Sequence, residues 1–273
     1  RLAEIEDGLV RRVSARQIAR AMPSAWGPSD PISAPPRVPA VGRPYVQFLD
    51  LPSISQEPTE TRFRVAVWQK PWRSQALFVS PEDSGFMQRG MISKAATLGM
   101  LLEPLLPGFA GRIDRSQQLV VELFDGEVES VSMIQLLNGA NVGAVRSELG
   151  SWELIQFQLA EEIAPDIWRL GGLLRGQLGT DDGMAAGAPA GASFVLLDAA
   201  VQPAGLQASE IGLPLNWRAG PAGSDFSGEN FVTLTETGGL RARQPLSPVH
   251  LRARRQANGG VVFSWTRRGR LDA

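Results

Sequence analysis

His250 is the only histidine of the chain, so Ser-His-Asp chemistry could be assembled at that one position, in a strand-like run. A partly exposed strand histidine is the ordinary reading of such a residue. With one histidine and no cysteine, a histidine metal cluster, a thiolate zinc site, an iron–sulfur cluster and a cysteine nucleophile are all excluded. Glu148, Glu153, Glu161 and Glu162 lie close enough in sequence to raise glycoside cleavage, which needs an acid and a second carboxylate facing each other across the bond. Glu153, however, sits in an alternating stretch, and Glu161-Glu162 read as the solvated end of a strand. Asp181-Asp182 lacks the acidic spacing of a calcium loop and reads as an acidic loop tip. The glycines at 171, 172, 176 and 179 follow no phosphate-cradling or dinucleotide pattern. Arg241, Arg243, Arg252, Arg254, Arg255, Arg267, Arg268 and Arg270 form a basic patch able to touch DNA phosphates, but arginine alternating along a strand is more often a solvated face. Trp152, Trp168, Trp217 and Trp265 could stack on sugar rings, although tryptophan in alternating strands is usually core. The expectation is a segment with no catalytic residue, no cofactor and no metal.

The elements that would position these residues are mostly strands. Apolar residues make up 43% of 273, enough for a sizeable core, and a formal charge of -1 gives no global field to recruit nucleic acid or an anionic membrane. No apolar run is long enough to span a bilayer, so no stable membrane insertion is expected from this segment. Leu2, Ile5, Leu9 and Val13 recur at helical spacing, which predicts an amphipathic helix over residues 1–22. The prolines of residues 23–44 predict an extended strap or linker. From Tyr45 onward the period is two. Strands are expected over 45–49, 63–68, 76–80, 118–124, 128–136, 152–159, 167–170, 193–197, 213–217, 231–235, 249–254 and 261–266. Thr97 to Leu106 is ambiguous between strand and helix. Asp125-Gly126, Asn138-Gly139, Gly238-Gly239 and Asn258-Gly259 supply turn chemistry. Residues 171–192 are rich in glycine and alanine and predict a mobile loop, with a second loop over 219–228.

The fold expected is therefore mainly β: several small β-sandwich or barrel domains behind an N-terminal helix. The divisions are 1–22, 23–44, 45–115, 116–246 and 247–273. Both ends read as cuts within a longer polypeptide.

Three strings carry a resemblance: Leu136-Leu137-Asn138-Gly139-Ala140-Asn141, Trp152-Glu153-Leu154-Ile155-Gln156-Phe157, and Trp168-Arg169-Leu170-Gly171-Gly172-Leu173-Leu174-Arg175-Gly176-Gln177-Leu178-Gly179-Thr180. In these the chain resembles the large tail-tip (megatron, or host-specificity) protein of gene transfer agents and long-tailed phages, over roughly 94–198. Leu49-Asp50-Leu51-Pro52 resembles the preceding family segment. From Ser247, with Pro248-Val249-His250-Leu251 and Val262 to Arg268, the chain looks like the start of a fibronectin-III-like sandwich. The resemblance implies a structural role in a trimeric virion baseplate or tip, assembled in the bacterial cytoplasm with hub and tail proteins. Its implied contacts are an envelope receptor or glycan and, transiently, exiting DNA. Any glycosidase-like domain of such proteins would lie outside these residues; the alternative is a glycan-binding or envelope-degrading module.

Asn138, Gly139, Asn141, Trp152, Gln156, Phe157, Arg175, Gly176, Gly179 and Thr180 are the motif residues to which the reading assigns structural work. Arg175 stands among glycines, so its guanidinium is expected to fold back and bind several carbonyls in a fixed fork.

Overall fold

The computed structural model describes the backbone of residues 2–6 and 12–15, and residues 42–53 and 59–269. The chain divides into two compact units, Arg1–Ala40 and Val41–Ala273. In the first, β1 (Leu2–Glu6) and β2 (Arg12–Ala15) pair antiparallel. These residues are strand, not the expected helix. The rest of the helix expectation, and residues 23–41 of the strap, lie outside the described residues.

The second unit is mainly β, as expected. In order, it contains β3 (Tyr45–Asp50), β4 (Phe63–Trp68), β5 (Gln75–Ser80), β6 (Met87–Ile92), β7 (Leu98–Leu101), β8 (Leu119–Leu123), α1 (Met133–Leu137), β9 (Val142–Arg146), β10 (Trp152–Ala164) and β11 (Ile167–Leu174). Then follow α2 (Asp181–Ala186), β12 (Ser193–Leu196), β13 (Gln202–Pro203), β14 (Pro214–Pro221), β15 (Val232–Thr237), α3 (Leu240–Arg243), β16 (Leu246–Arg255) and β17 (Val261–Arg268).

Six strands close into an antiparallel barrel in the order β10-β11-β8-β7-β12-β9. Its interior holds Val121, Val145, Ile155, Phe157, Leu170, Leu173 and Phe194. Each such side chain contributes roughly 1.5–3 kcal/mol by leaving water. Gly143 makes room for this filling: a Cβ there would stand 2.7 Å from the Phe194 ring.

A three-stranded sheet, β13-β4-β3, packs on the outside of the barrel. Leu49, Ala66, Ala144, Trp152, Leu154 and Val195 form the layer between them. The opposite face of that sheet, with Phe48, Phe63 and Val65, meets Leu77, Val79 and Trp217 of the four-stranded sheet β15-β14-β5-β6. β10 is therefore covered on both faces at its start, where Trp152 through Phe157 are all buried. Such a strand reads as a continuous buried run rather than as alternation.

The expected division at 115/116 falls between β7 and β8, which are hydrogen-bonded neighbours in the barrel. Residues of β3–β6 share a core with β14 instead. The expected strand over 128–136 does not form: residues 128–132 carry no regular structure, and α1 takes the rest, where Ser132 Oγ accepts from Gln135 N–H and Gln135 Oε1 accepts from Ser132 N–H. That Ser-x-x-Gln capping box fixes a helix start regardless of the neighbouring apolar residues.

The largest correction concerns residues 171–192. They are not a loose loop: Gly171 to Leu174 extend β11, and Arg175, Gly176, Thr180, Gly183, Met184, Gly187 and Ala188 are buried. Small residues here permit close packing. A Cβ on Gly187 would meet the Leu105 carbonyl oxygen at 2.8 Å, and the residue's φ of +71° also suits glycine.

Beyond α3 the chain leaves as an isolated two-stranded ribbon, β16-β17, turned by Asn258-Gly259. Of the four turn signals only this one makes a two-strand hairpin. Asn138-Gly139 follows α1, and Gly238-Gly239 leads into α3.

Candidate functional site

The three strings meet along β10. Arg175, at the end of β11, has a side chain with no exposure and pairs with Glu153 of β10, whose side chain is 1% exposed. Nε donates to Glu153 Oε1 at 2.5 Å, Nη2 to Oε2 at 2.9 Å, and Nη1 to the Leu106 carbonyl at 3.1 Å. Gly176 N–H adds a bond to Oε1 at 3.1 Å. The guanidinium fork thus exists, but its main partner is a carboxylate, and only one carbonyl joins it. Gly108 lies over the fork; a Cβ there would come within 3.1 Å of Nη1.

Asp114 is fully buried nearby, and its Oδ1 accepts from Ser116 N–H, Ser116 Oγ–H and Gln117 N–H. Burial would raise its pKa, but the bonds from Ser116 and Gln117 and the Arg175 charge together hold it below the ordinary 3.8.

The other motif residues tie loops to β10 through backbone groups. Thr180 Oγ1 accepts from Leu154 N–H at 2.9 Å and donates to the Gln177 carbonyl at 2.8 Å. Gln156 Nε2 donates to the Leu136 and Ala140 carbonyls. Asn138 caps the C-terminus of α1, Gly139 follows at φ +90°, and Asn141, at φ +54°, donates from Nδ2 to the Glu129 carbonyl. Trp152 Nε1–H donates to the Phe48 carbonyl at 2.9 Å, joining the barrel to β3. Phe157 fills the barrel, and Gly176 and Gly179 take φ of +59° and +76° around the short turn after Arg175.

The residues weighed for chemistry are dispersed or occupied. Glu153 is taken up by Arg175, Glu148 is exposed, Glu161 pairs with Arg169, and Glu162 accepts from Asp166 N–H. His250 is exposed on β16 at φ +55°. Asp182 pairs with Arg241, which also reaches the Gly179 carbonyl, and this pair holds Asp182 below the ordinary carboxylate range. No group of three or more potential metal ligands occurs among the described residues. Trp152, Trp168 and Trp217 are buried, so of the four candidate sugar platforms only Trp265, 59% exposed, is open. Arg243, Arg252, Arg254, Arg255 and Arg267 are exposed, Arg268 donates to the Ser247 carbonyl, and Arg270 lies outside the described residues.

Two features went unread in the sequence. Asp50, at the end of β3, accepts from the N–H groups of Gly239, Leu240 and Arg241 and so caps α3. Burial nevertheless pushes its carboxyl above 3.8. Beside it, a cleft of about 290 Å³ is lined by Arg146, Trp152, Glu236 and Arg241; burial raises Glu236 as well, against the pull of Arg146. Asp50 lay inside Leu49-Asp50-Leu51-Pro52, where a lone acid between buried leucines was the available signal.

Fold and site together define an antiparallel β protein whose recognisable strings supply two strands of a closed barrel and the polar contacts along them. Residues 96–195, which run from the approach to β7 into β12, match a family model described as Rcc01698-like, C-terminal. No curated protein matches the chain.

Proposed function

We propose that this chain is a structural segment of a phage-like tail baseplate or tip of the gene-transfer-agent type, taking part in envelope attachment or penetration and DNA delivery. The matched family carries a name associated with gene transfer agents. The observation that carries the proposal is the coincidence of that match with the barrel, whose motif side chains are spent on internal bonds rather than aimed at a substrate. On this reading the protein works as a trimer with hub and tail proteins, at the tip of a virion-like particle. It carries no catalysis in these residues, and its contacts with an envelope receptor or exiting DNA are surface contacts. Electron microscopy of purified particles with a tag on this chain tests the placement: density at the tail tip is expected, and a particle whose tip lacks the chain refutes it. A peptidoglycan release assay on the isolated chain is expected to stay at background.

A further inference from the structure

The outer face of the four-stranded sheet carries, in an aromatic hollow, a cation with no ion pair among the described residues. Strand register places Arg218 of β14 opposite Phe78 of β5 and Thr233 of β15, on the face turned away from Trp217 and the core. Asn216 stands opposite Ser80 and Thr235 on that same face. The turn Asp83-Ser84-Gly85-Phe86 and Phe226 complete a hollow of about 460 Å³, within the usual range of small-molecule sites.

Arg218 lies against the Phe226 ring at 4.3 Å and near the Phe231 ring at 5.5 Å, and donates from Nη2 to the Phe226 carbonyl at 2.7 Å. Its Nε–H is buried with no acceptor, and it forms none of the ion pairs found among the described residues. A half-buried guanidinium with no carboxylate in ion-pair contact among the described residues, in a hollow that Asp83 lines without reaching it, favours an anion that meets the open Nη1 and the second N–H of Nη2.

We propose that this hollow binds a saccharide ring bearing a carboxylate, of the uronic-acid class. The carboxylate meets Arg218. The C–H faces of the ring meet Phe86 and Phe226, and the hydroxyls meet the rim. That rim offers Asp83 Oδ1, already near Asn216 Nδ2 at 3.4 Å, and Asn216 Oδ1, which takes the Thr235 hydroxyl at 2.7 Å. A bare inorganic anion would leave the aromatic walls uncovered, and a neutral sugar would leave Arg218 unpaired. The site shares no residue with the polar contacts along β10 and does not rest on the tail-tip reading.

The test is titration of the 273-residue chain with glucuronate, glucose and cyclohexanecarboxylate, followed by calorimetry and by amide shifts. Glucuronate is expected to bind at least about tenfold more tightly than either of the others, since glucose lacks the carboxylate that meets Arg218 and cyclohexanecarboxylate lacks every hydroxyl that meets the rim. The shifts should centre on Gly85, Phe86 and Phe226. Arg218→Gln should weaken glucuronate by roughly ten- to a hundredfold, with Arg218→Lys in between. Equal binding of glucose, equal binding of cyclohexanecarboxylate, shifts centred elsewhere, or no binding of glucuronate at millimolar concentration overturns the proposal. Those arms use the unmutated chain, so they decide the matter even where Arg218→Gln fails to fold.

Discussion

Arg175→Lys isolates what the planar fork contributes to the contacts along β10. Arginine makes two bonds to Glu153 and one to the Leu106 carbonyl, with both charged side chains sealed from water. Lysine keeps the charge but carries a single nitrogen, which cannot span both carboxylate oxygens and the carbonyl together. At least one bond to the buried carboxylate is lost without access of water to replace it, at a cost of about 1.5–3 kcal/mol for a bond to a charged group. Arg175→Ala goes further and leaves Glu153 buried without a counter-ion, which costs about 3–5 kcal/mol, a large share of the roughly 5–15 kcal/mol that holds a domain folded. The double variant Glu153→Leu with Arg175→Met removes both charges and should recover more than half of the single-variant loss. Urea unfolding followed by total tryptophan fluorescence, to which the buried Trp152, Trp168 and Trp217 contribute a signal responsive to opening, measures all three. An Arg175→Lys cost below about 0.5 kcal/mol, or a double variant no better than Arg175→Ala, would refute the reasoning.

Gly143→Ala places a methyl 2.7 Å from the Phe194 ring and should cost about 1–3 kcal/mol in the same unfolding assay, because the barrel interior has nowhere to move that ring. Asp50→Ala strips the acceptor from three N–H groups of α3 and should lower stability by about 1–2 kcal/mol. Asp50→Asn should cost less, since burial already disfavours the charged carboxyl. The pH profile should have two limbs. Asp50 and Glu236, raised in the fold, favour the folded state once protonated, so stability holds or rises as pH falls from 7 toward their ordinary values of 3.8 and 4.5. Asp114 and Asp182, lowered in the fold, contribute above 3.8 and lose that contribution below it, so the urea midpoint should drop there, and Asp114→Asn should blunt the drop. A midpoint that falls steadily from neutral pH downward contradicts the first limb.

Alternation was enough to find β3, β4, β5, β8 and β12 within a residue or two, because each carries a regular apolar face or a short buried run. It failed where small residues replace large ones. In β9, Val142-Gly143-Ala144-Val145 carries little apolar bulk, yet both its faces are buried. Composition misled over 171–192 for the same reason. Glycine and alanine there do not signal weak burial; they let the chain approach the Arg175–Glu153 pair and the Leu105 carbonyl. The special role of Arg175 was legible from its glycine neighbours, but its partner was not. Glu153 lies 22 positions away on an alternating strand, and nothing local distinguishes a buried acid from an exposed one. Asp50 and α3 are 189 or more positions apart, and pairings at that distance leave no periodic trace.

The barrel's closure and the ribbon's isolation predict opposite ends of the stability range within one unit. Each barrel strand is bonded on both sides, and β10 is packed on both faces at its start, so its amides exchange with solvent only through opening of the unit as a whole. Among the described residues the ribbon β16-β17 has no third strand. Register puts Phe263 opposite Ala253, with Trp265 following on the same side, and these rings are 61% and 59% exposed. A two-stranded hairpin with no covered face is marginal in water, and shifts of register around Val249 and Arg252 interrupt its ladder further. Hydrogen exchange should therefore find the amides of 249–266 nearly unprotected, while those of 153–157 are slowed by a factor set by global unfolding, on the order of 10³ or more. Adding a partner that covers Phe263 and Trp265 should raise protection in the ribbon without changing β10. Ribbon amides as slow as those of β10 in the chain alone would mean that the apolar face is already covered, by a second copy or by the body of the protein, and the isolated-ribbon account would then be wrong.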